Sequence, residues 1–159
     1  MRWEMILMSK MENNTVNKAG STGVELNLND GTQRYQVTKK DLKKTADRYN
    51  FMACNIFNYE SQMGPAVAWA MAPVLRKIYK KDEEYKEALN NHFNYFNSTT
   101  VMSSMILGAT LAIEEKDGIE AKETVQSLKT SLMGPFAGIG DSLFIGTLIP
   151  ILLSIGLGL

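Results

Sequence analysis

Three amide side chains recur at helical spacing in a mostly apolar stretch of the sequence. Asn55, Asn58 and Gln62 are three and four residues apart, so a helix would align them on one face. Amides donate and accept hydrogen bonds, as recognition of sugar hydroxyls requires, and they cost less than charges at membrane depth. Helix-to-helix hydrogen bonding is the alternative. Glu60 lies beside this face and, if buried, needs either a partner or a function.

Asp141 is the only charged side chain from Ser131 to the end of the sequence. It follows the glycine-rich run GPFAGIG, which predicts a broken helix in an apolar environment. An acid in such a stretch is a functional candidate by default, and capping of the final helix is a compatible alternative. The run lacks the Lys-Ser/Thr pair of a phosphate loop, so nucleotide binding is not predicted.

His92 and Cys54 are the only imidazole and the only thiol in the sequence. His92 falls on an aromatic helix face, which favours a packing histidine, and Cys54 has no neighbouring base, which favours an inert buried thiol. One Cys and one His cannot build a four-ligand zinc site or an internal disulfide. We therefore predict no metal, no cofactor and no catalytic residue, and keep a soluble phosphoryl carrier using His92 as an alternative.

Charge and apolarity are unevenly distributed along the 159 residues, although 17 basic and 17 acidic side chains cancel. A neutral total gives no support to nucleic-acid binding. Residues 39–81 hold nine basic and three acidic groups, and residues 82–123 hold three basic and nine acidic groups. The basic block would mark a cytoplasmic side and favour anionic lipid, unless both blocks are ordinary solvated helix faces.

The last residues form the apolar stretch LFIGTLIPILLSIGLGL, which has no charge in 17 residues although the mean hydropathy of the chain is −0.15. This length is near the lower limit for crossing a membrane, and a short buried core helix is the alternative. The sequence stops inside this apolar stretch, so we expect a fragment or a truncated chain.

Periodicity predicts a mainly α chain, a helical membrane-associated domain with Gly/Pro-broken helices and a short N-terminal β-hairpin. Residues 1–37 read as a flexible lead-in with the hairpin, and residues 38–159 as the helical domain. Thr38 and Asp41 have the spacing of a capping box. Helices are expected at about 39–62, 65–80 with a kink at Pro73, 82–96, 101–116 and 119–132.

Residues 38–150 resemble the IID component of the mannose, fructose and sorbose family of bacterial phosphotransferase-system (PTS) sugar permeases. The matching runs are FNYE (57–60), PVLRKIY (73–79), HFNYFNSTT (92–100), ILGATLAIEE (106–115) and SLKTSLMGPFAGIGDSLFIGTLIP (127–150). The run QMGPAVAWAM departs from the commonest version, which leaves the sugar open.

This resemblance implies a non-catalytic permease subunit in the bacterial plasma (inner) membrane. It would pair with a IIC subunit in a hetero-oligomer to carry a hexose or amino sugar, while IIA and IIB proteins relay phosphate and membrane lipid surrounds it. Family members continue with a further hydrophobic half, so the resemblance also implies a truncated, N-terminal half. A membrane-associated scaffold without transport is the remaining alternative.

Overall fold

The computed structural model describes residues 25–27 and 33–158, with side chains from residue 35 onward. Two short strands, β1 (Glu25–Asn27) and β2 (Gln33–Tyr35), pair antiparallel with Glu25 opposite Tyr35. Residues 28–32, which would form the turn between them, and the predicted lead-in at 12–23 lie outside the described residues. The β-hairpin therefore stays a prediction.

Helices make up most of the remaining described chain, which confirms a mainly α fold. They are α1 (Lys39–Met52), α2 (Gly64–Ile78), α3 (Asp82–His92), α4 (Thr100–Asp117), a 3-10 turn (Gly118–Ala121), α5 (Lys122–Gly140), a π-helical segment (Asp141–Leu148) and α6 (Ile149–Leu157).

The start of α1 is fixed by the predicted capping box. The Thr38 hydroxyl accepts from the backbone N–H of Asp41 at 3.2 Å, and the Asp41 carboxylate accepts from the Thr38 N–H at 3.2 Å. Lys77 of α2 donates to the same carboxylate at 2.7 Å. Burial alone would raise the pKa of Asp41, but hydrogen bonds from Lys77, Tyr35 and Thr38 lower it to about 2. The cap therefore also joins α1 to α2.

Helix α2 is the centre of the core and is buried on almost every side. Its alanines and its residues Val67, Met71 and Leu75 are all 2% exposed or less. Gly64 and Pro65 open the helix, close to the start predicted at about residue 65, because proline suits the first turn. Pro73 lies inside α2, which is one unbroken helix. Around it, Tyr49 of α1 meets Phe96 edge to face at 6.4 Å.

The helix break expected at GPFAGIG is wrong. Helix α5 continues through Pro135 to Gly140 and runs directly into the π-helical segment and α6. A break would leave backbone N–H and C=O groups without partners in apolar surroundings, whereas Pro135 removes only one donor from a continuing helix. The wider turns of the π-helical segment follow where the break was expected.

One helical stretch in the described chain is long and apolar enough to cross a membrane. It lies in the run Thr100–Leu157, has a mean hydropathy of 1.8, and only 6% of its most apolar window is buried. From Leu143 to Leu157 the large apolar side chains are mostly exposed. The bundle of α1 to α5 thus continues into a helix whose apolar surface is uncovered.

Candidate functional site

The expected amide stripe on one helix face is wrong, because α1 ends at Met52. Residues 55–62, here called the amide turn, leave the helix, and Asn58 and Gln62 exchange backbone hydrogen bonds of 3.2 and 3.0 Å. The Asn58 carbonyl oxygen Oδ1 accepts from the Ser61 N–H at 2.7 Å and from its hydroxyl at 3.0 Å. Such local side-chain bonds compete with helix formation and explain the early end of α1.

The predicted polar residues of the amide turn make separate local hydrogen bonds. Asn55 is exposed and donates to the Phe51 carbonyl at 2.8 Å, while Gln62 has a φ of 54° and donates to the Tyr59 carbonyl at 3.2 Å. Glu60 is exposed, so it does not need the buried partner considered for it. The turn thus presents separate amides and an acid to its surroundings rather than one stripe.

The amide turn is attached to the segment between α3 and α4. The Met63 N–H donates to the Phe96 carbonyl at 2.9 Å, and the Phe96 N–H donates to the Ser61 carbonyl at 3.2 Å. Phe96 itself is completely buried. Residues 96–99, here called the bridging segment, therefore hold the turn in a fixed place on the bundle.

Asp141 lies at the other end of the bridging segment. Its carboxylate accepts from the Thr99 hydroxyl at 2.6 Å, and the Ala137 carbonyl is 3.1 Å from the same hydroxyl. The prediction that Asp141 caps the last helix is wrong, because α5 continues and the Asp141 N–H already donates to the carbonyls of Ala137 and Gly138. Asp141 anchors Thr99 instead.

The close contact at Thr99 depends on Gly140. A Cβ at position 140 would lie 2.5 Å from the Thr99 Cβ and 2.6 Å from its hydroxyl oxygen. A glycine here lets α5 approach the start of α4. The structure thus brings two of the predicted groups, the amide turn and Asp141, to opposite ends of one short segment.

Substitutions of Asp141 should separate its acceptor role from its charge. Asp141→Asn keeps an oxygen for the Thr99 hydroxyl and should change the unfolding free energy little, whereas Asp141→Leu removes the acceptor of an exposed hydrogen bond and should cost about 0.5–1.5 kcal/mol. Thermal unfolding in detergent measures both, and Thr99→Val should resemble Asp141→Leu. Equal stability of the Asn and Leu variants would contradict the anchoring role.

A buried charge cluster that the sequence did not predict lies between α3, α4 and α5. The His92 Nε2 is 2.7 Å from Glu114 Oε1, and Lys129 Nζ is 3.4 Å from His92 Nδ1 and 3.1 Å from the Asn91 carbonyl. The three side chains are at most 3% exposed. Helical spacing could have indicated that Glu114 is buried, because it follows Leu107 and Leu111 on the buried face of α4, but not which residues it contacts.

Burial lowers the pKa of His92 below its ordinary value, and the Lys129 ammonium acts in the same direction against the opposing Glu114 carboxylate. The neutral imidazole then donates from Nε2 to Glu114 and accepts at Nδ1 from Lys129. The prediction of a packing histidine agrees with this burial. Cys54, in contrast, is exposed, so the expectation of a buried thiol is wrong.

The fold and these residues define a helical subunit with an uncovered apolar helix, and sequence comparison gives its family. The chain belongs to the family described as "PTS system mannose/fructose/sorbose family IID component", and the model of this family matches residues 36–159. The resemblance seen in the sequence is confirmed.

Curated relatives come from several bacteria. The chain is 40% identical over 129 residues to the PTS system sorbose-specific EIID component of Lacticaseibacillus casei, with 78% of this chain and 45% of that protein covered. It is 34% identical to the mannose-specific EIID component of Escherichia coli K12, with 77% and 46% covered, and 34% identical to the fructose permease IID component of Bacillus subtilis, with 78% and 46% covered. The chain thus spans less than half the length of these relatives.

A solved structure has the same fold. The cryo-EM structure of the mannose transporter ManYZ in complex with microcin E492 matches with a TM-score of 0.71 and 31% identity, covering 77% of this chain and 46% of that chain. The matched helices therefore share the fold of a chain in the ManYZ structure.

Proposed function

We propose that this chain acts in a phosphoenolpyruvate-dependent sugar transporter, where it pairs with a IIC subunit to carry a hexose or amino sugar across the bacterial plasma membrane. The match of residues 36–159 to the IID family carries this proposal. The uncovered apolar surface from Leu143 to Leu157 supports it, because such a surface is suited to lipid or to a partner helix. IIA and IIB proteins would relay phosphate to the complex.

Within this proposal, residues 38–159 form the membrane unit and residues 1–37 precede it with a hairpin. The amide turn and Asp141 would contribute to the surface that faces the sugar or the IIC subunit. Their hydrogen bonds to Phe96 and Thr99 of one bridging segment support a common role.

A phosphoryl carrier using His92 is not supported. Its imidazole is 0% exposed, and both ring nitrogens lie within hydrogen-bond distance of buried charged groups. A phosphoryl-accepting nitrogen must instead meet its donor. A membrane scaffold without transport is tested below.

Co-expression with a tagged IIC subunit tests the proposal. We expect the 159-residue chain to appear in the membrane fraction, to be released by detergent and to co-purify with IIC. Uptake of a panel of sugars is then measured separately, with IIA and IIB present. Recovery of a stable soluble monomer without detergent would refute a membrane role. Membrane insertion without IIC binding would favour the scaffold.

Variants of the amide turn test its role directly. Asn58→Asp keeps the oxygen that accepts from Ser61 but removes the amide donor, so it should fold normally and still weaken sugar affinity or IIC association. Gln62→Ala should weaken the same quantities by about 1–3 kcal/mol. Unfolding is measured first, then binding. Asn55→Ala tests the third amide of the turn, and if all three variants bind like the parent chain the assignment is wrong.

A further inference from the structure

The buried charge cluster joins three helices through bonds that depend on one proton. With a neutral imidazole, His92 donates from Nε2 to Glu114 on α4 and accepts at Nδ1 from Lys129 on α5. The ammonium also donates to the carbonyl of Asn91, one residue before the end of α3. The cluster then carries one positive and one negative charge, which compensate each other in a buried place.

Protonation of His92 would disturb this arrangement. Both ring nitrogens of an imidazolium are donors, so Nδ1 would direct an N–H at the ammonium of Lys129, 3.4 Å away. Like charges repel strongly where water is excluded, and one carboxylate cannot compensate two cations. Lys129 would have to withdraw, and its bond to the Asn91 carbonyl would be lost with it.

The other charged groups near α3 are engaged elsewhere or exposed to solvent, so Glu114 and Lys129 are the charges that face His92. On α2, Arg76 pairs with Asp82 and Lys77 pairs with Asp41. On α5, Lys122 pairs with Glu87 of α3 at 2.9 Å on the surface, and Glu120 of the 3-10 turn is exposed.

We propose that His92, Glu114 and Lys129 form an acid-sensitive lock, in which the neutral imidazole holds α3 on the α4–α5 pair and uptake of a proton by His92 releases α3 and residues 93–99. Residues 96–99 hold the amide turn and contact Asp141. Opening of the lock therefore loosens both ends of the candidate site. The lock is a property of this fold, and only its effect on transport rests on the proposed function.

The direction of the pH effect follows from linkage. The pKa of His92 in the folded chain lies below its ordinary value of 6.5, so the unfolded or opened form takes up the proton first. Above pH 6.5 the closed state therefore has its full stability. Below pH 6.5 the ratio of closed to open molecules falls by up to about tenfold per pH unit.

Hydrogen exchange of the full chain in detergent, at about pH 7.5 and about pH 5.5, tests the lock. After correction for intrinsic rates, amides of α3 and of residues 93–99 should exchange about tenfold faster at the lower pH. The contact between α1 and α2 is an internal control, because Asp41 has a pKa of about 2 and stays ionised at both pH values. Unchanged exchange in α3 would overturn the proposal.

Lys129→Met should reverse the sign of the response. Without the ammonium, the buried Glu114 carboxylate lacks a countercharge, and a protonated His92 becomes its best partner. Acidification should then slow exchange in α3, or fold a variant that is unfolded at pH 7.5. Lys122→Met is the matched control: it removes an exposed pair on the same helix and should respond like the parent chain. If exchange in α3 of Lys129→Met becomes faster at the lower pH, as in the parent chain, the lock is refuted.

His92→Gln covers the case in which Lys129→Met stays unfolded at both pH values. Glutamine can donate to Glu114 but cannot titrate, so the faster exchange at the lower pH should disappear. If it persists, another group is responsible and the lock is refuted. Because these measurements need no IIC subunit or sugar, failure of the proposed function would leave them unaffected, and failure of the lock would leave IIC binding unaffected.

Discussion

Glu114→Leu should lower the unfolding free energy by about 3–5 kcal/mol, because it leaves the buried Lys129 ammonium without a compensating charge. The imidazole of His92 also loses its acceptor at 2.7 Å. Thermal unfolding in detergent, followed by circular dichroism, measures the effect.

A second substitution should restore much of this loss. Glu114→Leu combined with Lys129→Met removes both charges, and apolar replacements of a complete buried ion pair are often neutral. Glu87→Ala is the control, because its pair with Lys122 is exposed and should contribute little. If the double variant is as unstable as Glu114→Leu alone, the loss arises from packing and not from an uncompensated charge.

Gly64→Ala should also destabilise the fold, for a steric reason. A Cβ on Gly64 would lie 2.6 Å from the carbonyl oxygens of Phe93 and Asn94, closer than real contacts of this kind. Both obstacles are backbone atoms between α3 and the bridging segment, so no rotation of a side chain relieves them. We expect a loss of about 1–3 kcal/mol, with α2 displaced from its place beside α3.

Gly138→Ala is the matched control for this substitution. It lies within α5, and a Cβ at this position would meet no atom within 4 Å outside its own helix backbone and its chain neighbours. Alanine should therefore stabilise the helix by about 0.5–1 kcal/mol. A similar loss of stability in both glycine variants, measured by denaturation in detergent, would show that the close approach of Gly64 is not responsible.

The helices could be predicted where local chemistry and periodicity agree. The capping box at Thr38 and Asp41, the start of α2 at Gly64-Pro65 and the end of α4 at Gly118 each carry a residue type suited to that position. Gly118 has a φ of 65°, which favours glycine. These features depend on neighbours in sequence, and the sequence was sufficient for them.

The errors arose where the outcome depends on distant parts of the chain. The amides at 55–62 fit a helix by spacing, but the Asn58 side chain bonds to Ser61 and the turn pairs with Phe96. The glycine-rich run fits a break, but a continuous helix keeps its backbone bonded and lets Gly140 meet Thr99. The charge cluster joins residues 22 and 37 positions apart, and periodicity within one helix carries no such information.

The uninterrupted helical path from Lys122 to Leu157 has a mechanical consequence. At about 1.5 Å per residue it is a rod roughly 50 Å long, of which one half packs in the bundle and the other half is uncovered. The Thr99 hydroxyl lies within hydrogen-bond distance of Ala137 and Asp141, near the middle of this rod. A rotation of the uncovered half about its own axis would draw the carboxylate away from the hydroxyl, unless the wider turns of the π-helical segment absorb the twist. Under the proposed function, motion of the uncovered helix would in this way reach the amide turn through the contacts at Thr99 and Phe96.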